Sequence, residues 1–382
     1  MKISGVICEY NPFHNGHAKQ LSFMKAQGAA VCLMSGNYVQ RGEPAILDKY
    51  VRAAAAVACG ADLVLELPVT YALRSAEGFA AGGVEIMDRL GCVVTLCFGS
   101  ESGRTDELLQ TARLLLTEQF AVKLRSELAS GVSFPCARQN ALEALGGSGE
   151  LLEHPNDILA VEYCKAILRQ GSGLAPSALL REGSYRDSTD AENPSASVLR
   201  GTENWNGSVP EEAMRVFDGA VRASVPSGER AWLARLRFMS EQDFARLPFG
   251  SEGLWRKLMH ACRQQATLEE IVAATKSKRY TRTRLTRMLL CAYLGITKDL
   301  LEQKAPYVRV LALNETGRTI LRKARENGAI PILNAGERAP DCEYALLERR
   351  ASDLYGLFAV GDRPGAPNAE ERARVVPVNS KA

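Results

Sequence analysis

Short β-branched runs alternate with Ala- and Leu-rich stretches of helical periodicity through the first half of the chain, the pattern of a parallel α/β sheet. Ile3 to Cys8 reads as a first strand, Gly16 to Ala26 as a helix and Ala30 to Met34 as a second strand. Ala45 to Cys59 is an alanine-rich helix closed by Gly60, suited to a left-handed cap. Asp62 to Leu67 predicts a third strand stopped by Pro68, Ser75 to Leu90 a helix, and Val93 to Phe98 a fourth strand running into Gly99-Ser100-Glu101. Helices are expected at Thr105 to Ser130, Pro135 to Leu145 and Asp157 to Gln170. Leu174 to Leu180 reads as a fifth strand that Pro176 confines to an edge or to its first residues. Right-handed crossovers put the ligand crevice of such a sheet at the carboxyl ends of its strands.

The pattern changes after Trp205, where helical stretches rich in Leu, Ala and Arg take over through Leu301. Val308 to Leu313 and Ile330 to Leu333 are candidate short strands, and the tail from Gly361, with Pro364 and Pro367, is expected to be mobile. The expected organisation is a catalytic α/β domain over residues 1–205 and a mainly helical domain over 206–382. With 382 residues, two units can each bury a core. Composition changes this little: 46% apolar and 24% charged residues are ordinary for a globular chain. A net charge of +3 does not by itself imply nucleic-acid binding, so local clustering of arginines matters more.

Seven of the ten cysteines (Cys8, Cys32, Cys59, Cys92, Cys97, Cys164 and Cys291) sit inside apolar runs, and none shows zinc-knuckle or redox spacing. The N-terminus reads as strand and turn, and no apolar stretch approaches membrane-spanning length. A reduced, cytoplasmic protein is expected, with neither membrane attachment nor an obligate protein partner.

The strongest chemical signal follows the first strand, in Glu9-Tyr10-Asn11-Pro12-Phe13-His14-Asn15-Gly16-His17. Two of the chain's four histidines fall here, at a strand-to-helix junction. Gly16 removes a Cβ from the approach, and the helix N-terminus favours an anion. Two imidazoles at that point suit negative charge growing on phosphate oxygens as an α–β phosphate bond breaks. No third ligand of matching spacing accompanies them, so no protein metal site is expected.

His14 to His17 resembles the HIGH motif shared by class I aminoacyl-tRNA synthetases and small nucleotidyltransferases. The resemblance implies a Rossmann-like domain that activates a substrate at the α-phosphate of ATP, with Mg²⁺ on the triphosphate. Ser195-Ala196-Ser197-Val198-Leu199-Arg200 resembles the second signature of that superfamily, in which Ser197 and Arg200 would hold the outgoing pyrophosphate. A serine N-cap opening a helix is compatible with that role.

A narrower resemblance, to the bacterial tRNA(Met) cytidine acetate ligase family, runs through the whole first half. It is carried by residues 5–21, 34–53, 60–68, 98–101, 155–163 and 180–187. It implies ATP against residues 6–19, namely Val6, Ile7, Cys8, Glu9, Tyr10, Asn11, Pro12, Phe13, His14, Asn15, Gly16, His17, Ala18 and Lys19, and against Gly99, Asn156 and Arg181. Read without it, Gly99 is a strand-ending turn, Asn156 a helix N-cap and Arg181 a surface arginine. Lys19 either reaches phosphate or points to solvent. Arg41, in the charged turn Gln40 to Pro44, is placed to line the crevice; it, Asp48 and Arg52 are candidate substrate or RNA contacts, although Asp48 and Arg52 also have the spacing of a helical ion pair.

The densest basic segment is Lys276 to Arg287, in which Lys278, Arg279, Arg282, Arg284 and Arg287 surround Tyr280. Such a run is ordinarily a solvated helix face, whereas the family carries a similar segment and thereby implies tRNA contact. The implied reaction joins acetate to ATP as acetyl-adenylate, then acetylates N4 of the wobble cytidine of elongator tRNA(Met). Two alternatives remain: an adenylyltransferase acting on a small metabolite, and a tRNA-binding protein with a decayed nucleotide site.

Overall fold

The computed structural model describes residues 1–181, 196–202, 204–277, 279–362 and 364–377. Its strands are β1 (Ile3–Cys8), β2 (Ala29–Ser35), β3 (Tyr38–Val39), β4 (Glu43–Pro44), β5 (Leu63–Leu67), β6 (Thr95–Ser100), β7 (Ala175–Leu180), β8 (Val308–Leu313), β9 (Ile332–Leu333) and β10 (Val376–Pro377). The main sheet runs β10-β8-β5-β2-β1-β6-β7, with β9 on β8. From β5 to β7 all pairs are parallel. The chain steps outward from β1 through β2 to β5, then crosses back to place β6 on the other side of β1. A topological switch point therefore lies between the carboxyl ends of β1 and β6.

Every residue of β1, β2 and β5 is buried, as expected of parallel strands covered on both faces. Alternate residues serve opposite faces. Ile3, Ile7, Val31, Leu33, Leu63 and Leu65 join the core under helices Ala76–Arg89 and Pro155–Gln170, while Val6, Cys8, Cys32, Met34 and Val64 join the one under Asn15–Gln27 and Lys49–Ala58. A third core unites helices Val225–Phe238, Leu254–Gln264, Leu268–Thr275, Arg282–Leu294 and Glu343–Tyr355. The short ribbon β3-β4 ties this helical part to the sheet. Tyr38 packs edge-on against Tyr355 and Phe358, and its hydroxyl donates to Ala351 O at 3.1 Å.

Several elements differ from the sequence expectation. The helix expected at Thr105 to Ser130 is two helices, because Thr117 Oγ1 accepts from Phe120 N and opens a new one. The helix expected from Ala45 starts at Lys49, where Asp48 accepts from Tyr50 N. β7 is an edge strand, as Pro176 requires.

β8 does form, but it extends the N-terminal sheet antiparallel to β5. Residues beyond 205 thus contribute strands as well as helices. Residues 364–377 do not hang free as the tail composition implied. Glu370 is buried, ion-paired to Lys49 and Arg309, and accepts from Ser352 Oγ. Two buried cations need a carboxylate, and this segment supplies it. Among the described residues no helix is long and apolar enough to cross a membrane.

Candidate nucleotide-handling active site

A crevice of about 280 Å³ opens at the switch point, lined from the ends of β1 and β6, the histidine turn, the ribbon, helix Pro155–Gln170, Arg181 and helix Ala196–Arg200. The turn after β1 is held in a demanding conformation. Tyr10 has φ +47°, in the left-handed region that non-glycine residues avoid. Asn11 Oδ1 accepts from Ile46 N at 2.8 Å, and Asn15 is anchored to Gly207 O and Ser208 O.

The two histidines form a reciprocal cap. His14 Nδ1 accepts from Gly16 N at 3.1 Å, and His17 Nδ1 accepts from His14 N at 3.3 Å. Both Nδ1 atoms are therefore acceptors, which leaves each neutral ring its proton on Nε2. The rings lie 3.8 Å apart with a 32° tilt, and Tyr10 and Phe13 pack against His17. Burial, then the charge of Arg181, lowers His14 to about 4; burial, His14 and Arg181 hold His17 well below its usual value. At neutral pH the pair offers two uncharged N–H donors at a helix N-terminus, the equipment for a phosphate. Gly16 has a reason the sequence did not show: a Cβ there would stand 2.9 Å from His14 Cε1.

Arg200 donates to Asn11 O at 3.0 Å and to Ser197 Oγ at 3.1 Å, so Arg200 reaches the histidine turn and both signature residues line the crevice. Ser195, Lys278 and residues 182–187 lie outside the described residues. Arg181 crosses Gly99, where a Cβ would come within 3.3 Å of its side chain. Asn156 lines the crevice without being an N-cap. It sits inside the first turn of its helix, and Glu101 caps that end by accepting from Asn156 N, Asn156 Nδ2 and Asp157 N.

The remaining expected contacts divide clearly. Ile7, Cys8, Glu9, Tyr10, Asn11 and Arg41 line the crevice with the histidines. Val6, Pro12 and Phe13 are buried in support, Ala18 packs partly against the core, and Lys19 is exposed on the helix outside the lining. Arg52 makes no ion pair with Asp48. Fully buried, it donates to Leu47 O at 2.9 Å, Ser35 O at 3.2 Å, Glu9 O and Gly36 O, and so braces the turn from beneath. Gln40, in the charged turn expected to line the crevice, does so, whereas sequence reasoning missed Phe98 and Tyr163 in the lining. Tyr163 stacks on Phe98 with ring centroids 5.6 Å apart, and the only hint was its place on one helix face with Asn156 and Leu159.

The basic segment opens helix Arg282–Leu294 beside this crevice. Arg279 and Arg282 are exposed and pair with Glu252 and Glu269. Arg284 donates to Phe249 O, its guanidinium lies 5.0 Å from the Tyr280 ring, and Arg287 covers Phe249. Thr286 Oγ1 donates to Arg41 O. Gly42, at φ +78°, lets the ribbon approach the helix backbone so closely that a Cβ would lie 2.4 Å from Arg287 N.

A switch-point crevice with a histidine-capped helix defines an enzyme of the nucleotidyl-transfer class, and a family model for HIGH nucleotidyl transferases matches residues 1–365. The chain is 34% identical to the tRNA(Met) cytidine acetate ligase of Clostridium acetobutylicum, over 87% of this chain and 90% of that one. It is 36% identical to that of Syntrophomonas wolfei, over 94% and 95%. The crystal structure of Thermotoga maritima TmcAL bound with alpha-thio ATP superposes with a TM-score of 0.88 at 29% identity, over the whole of both chains. The chain belongs to the HIGH nucleotidyl transferase family and, within it, to the tRNA(Met) cytidine acetate ligases.

Proposed function

We propose that this protein is an ATP-dependent ligase that activates acetate as acetyl-adenylate and transfers the acetyl group to N4 of the wobble cytidine of elongator tRNA(Met), releasing AMP and pyrophosphate. One observation carries the reading: the nucleotide crevice and the arginine-bearing helix share a wall, the Gln40–Glu43 loop, which Thr286 and Gly42 hold against the helix. A small-molecule adenylyltransferase has no use for that junction. The nucleotide analogue on the Thermotoga maritima protein, and the names of the relatives, support ATP and tRNA as substrates here.

In this reading the nucleoside lies toward Gly99, Asn156 and Arg181, and the α-phosphate meets the Nε2–H groups of His14 and His17. Ser197 and Arg200 receive the pyrophosphate. Mg²⁺ travels on the triphosphate, shielding its charge. Residues 1–205 handle ATP, and residues 206–382 engage RNA, with Arg279 and Arg282 exchanging their exposed carboxylate partners for phosphates. Arg284 and Arg287 shape the same helix face. The working compartment is the cytoplasm, where ATP and tRNA meet.

The test incubates purified protein with ATP, Mg²⁺, radiolabelled acetate and bulk bacterial tRNA, followed by digestion to nucleosides. Label in N4-acetylcytidine, reduced at least a hundredfold by His17→Ala, is expected. AMP transferred to a metabolite with no label in RNA would refute the reading.

A further inference from the structure

The crevice is built for anions, yet two carboxylates, Glu9 and Glu43, line it. Glu9 follows β1 directly, lines the crevice, and receives Gln40 N on Oε1 at 2.7 Å. A carboxylate beside a triphosphate site opposes nucleotide binding, so its presence calls for a role outside ATP capture. Its position within the crevice supplies one. The residues read as holding the nucleoside, Gly99, Asn156 and Arg181, lie on the β6 and β7 side. Glu9 is bonded to the ribbon on the opposite side, and that ribbon abuts the arginine-bearing helix.

From this geometry we propose that Glu9 is the general base of acetyl transfer, accepting the proton that the cytidine N4 amine gives up as it attacks the acetyl carbonyl. The proposal rests on the ligase reading above. The N–C bond forms, the C–O bond to the adenylate phosphate breaks with its electron pair on AMP, and the N4 proton passes to the Glu9 oxygen that does not hold Gln40. The groups around that carboxylate are Arg41 of the ribbon, Arg52 beneath the turn, Arg200 of the short helix, Tyr163 of helix Pro155–Gln170 and the neighbouring Cys8. Burial raises Glu9 above its usual range despite the Gln40 amide and the three arginines, which makes it a better proton acceptor than a solvated carboxylate.

Two half-reactions are measured on Glu9→Gln, which keeps an acceptor for the Gln40 amide. They are acetate-dependent exchange of pyrophosphate into ATP, and single-turnover transfer from preformed acetyl-adenylate to tRNA. The expected result is a loss of transfer of about 100-fold, at least tenfold greater than any loss of exchange. The wild-type transfer rate should rise with pH through one ionisation that the variant lacks, and Glu9→Asp should recover part of the rate. Equal losses in both half-reactions, or an unchanged pH profile in Glu9→Gln, overturn the base assignment. Wild-type protein without acetate-dependent exchange overturns the ligase reading itself.

Discussion

Replacing Arg52 by lysine separates a structural role from the RNA contact that its sequence position implied. The guanidinium is fully buried, has no carboxylate partner among the described residues and holds the carbonyls of Glu9, Ser35, Gly36 and Leu47. Burial accordingly lowers its pKa, with Tyr355, Asp48 and Glu9 opposing that shift. Lysine retains the charge but concentrates its donors at one point, so it cannot span acceptors that a planar fork reaches on two sides. At least two charge-assisted hydrogen bonds to buried carbonyls are lost, each worth roughly 1.5–3 kcal/mol. Partial relaxation brings the expected destabilisation to about 3 kcal/mol, or a midpoint lower by about 4 °C at this chain length.

The Glu9 carbonyl precedes Tyr10 at its positive φ, so nucleotide affinity should fall together with stability. Thermal unfolding and titration with a non-hydrolysable ATP analogue would be measured on both proteins, along with tRNA binding at fixed salt. An unchanged midpoint accompanied by weaker tRNA binding would refute the bracing role and restore Arg52 to the RNA surface.

Two other expectations concern charge. Glu370→Ala strips Lys49 and Arg309 of a shared buried carboxylate and should cost about 3 kcal/mol in guanidinium unfolding. Glu348, pushed up to about 8 by burial and by Glu66, would ionise more readily and offset part of the loss. An unchanged midpoint would show that residues 364–377 are dispensable. For the histidines, the folded-state pKa lies below the unfolded value of about 6.5, so the unfolded chain binds more protons between there and about 4. Stability is complete above the unfolded pKa and falls as pH drops through this window, by up to about 3 kcal/mol for His14. Urea unfolding from pH 7.5 to 4.5 should be flatter in a His14→Gln, His17→Gln double variant, and an identical slope would contradict the buried neutral pair.

Much of this was present in the order of residues. Strand and helix periodicity set the sheet, because parallel strands buried on both faces leave unbroken apolar runs such as Ile3–Cys8 and Ala29–Ser35. The histidine turn was legible because its parts are local: a cap, a glycine and a ring stacked three residues on. What sequence could not show was what long-range packing does to a charged side chain. Arg52 looked like half of a surface ion pair and is a buried brace. Lys49 drew no attention and is locked to Glu66 and to Glu370 321 residues away. Asn156 looked like a cap, yet the cap is Glu101, delivered from the end of β6. Spacing along one element fixes which side chains share a face, but only the assembled sheet and helices decide which faces meet. Burial then determines whether a charge becomes a contact for ligand or a support for backbone, and so the chemistry of the crevice belongs to the tertiary structure.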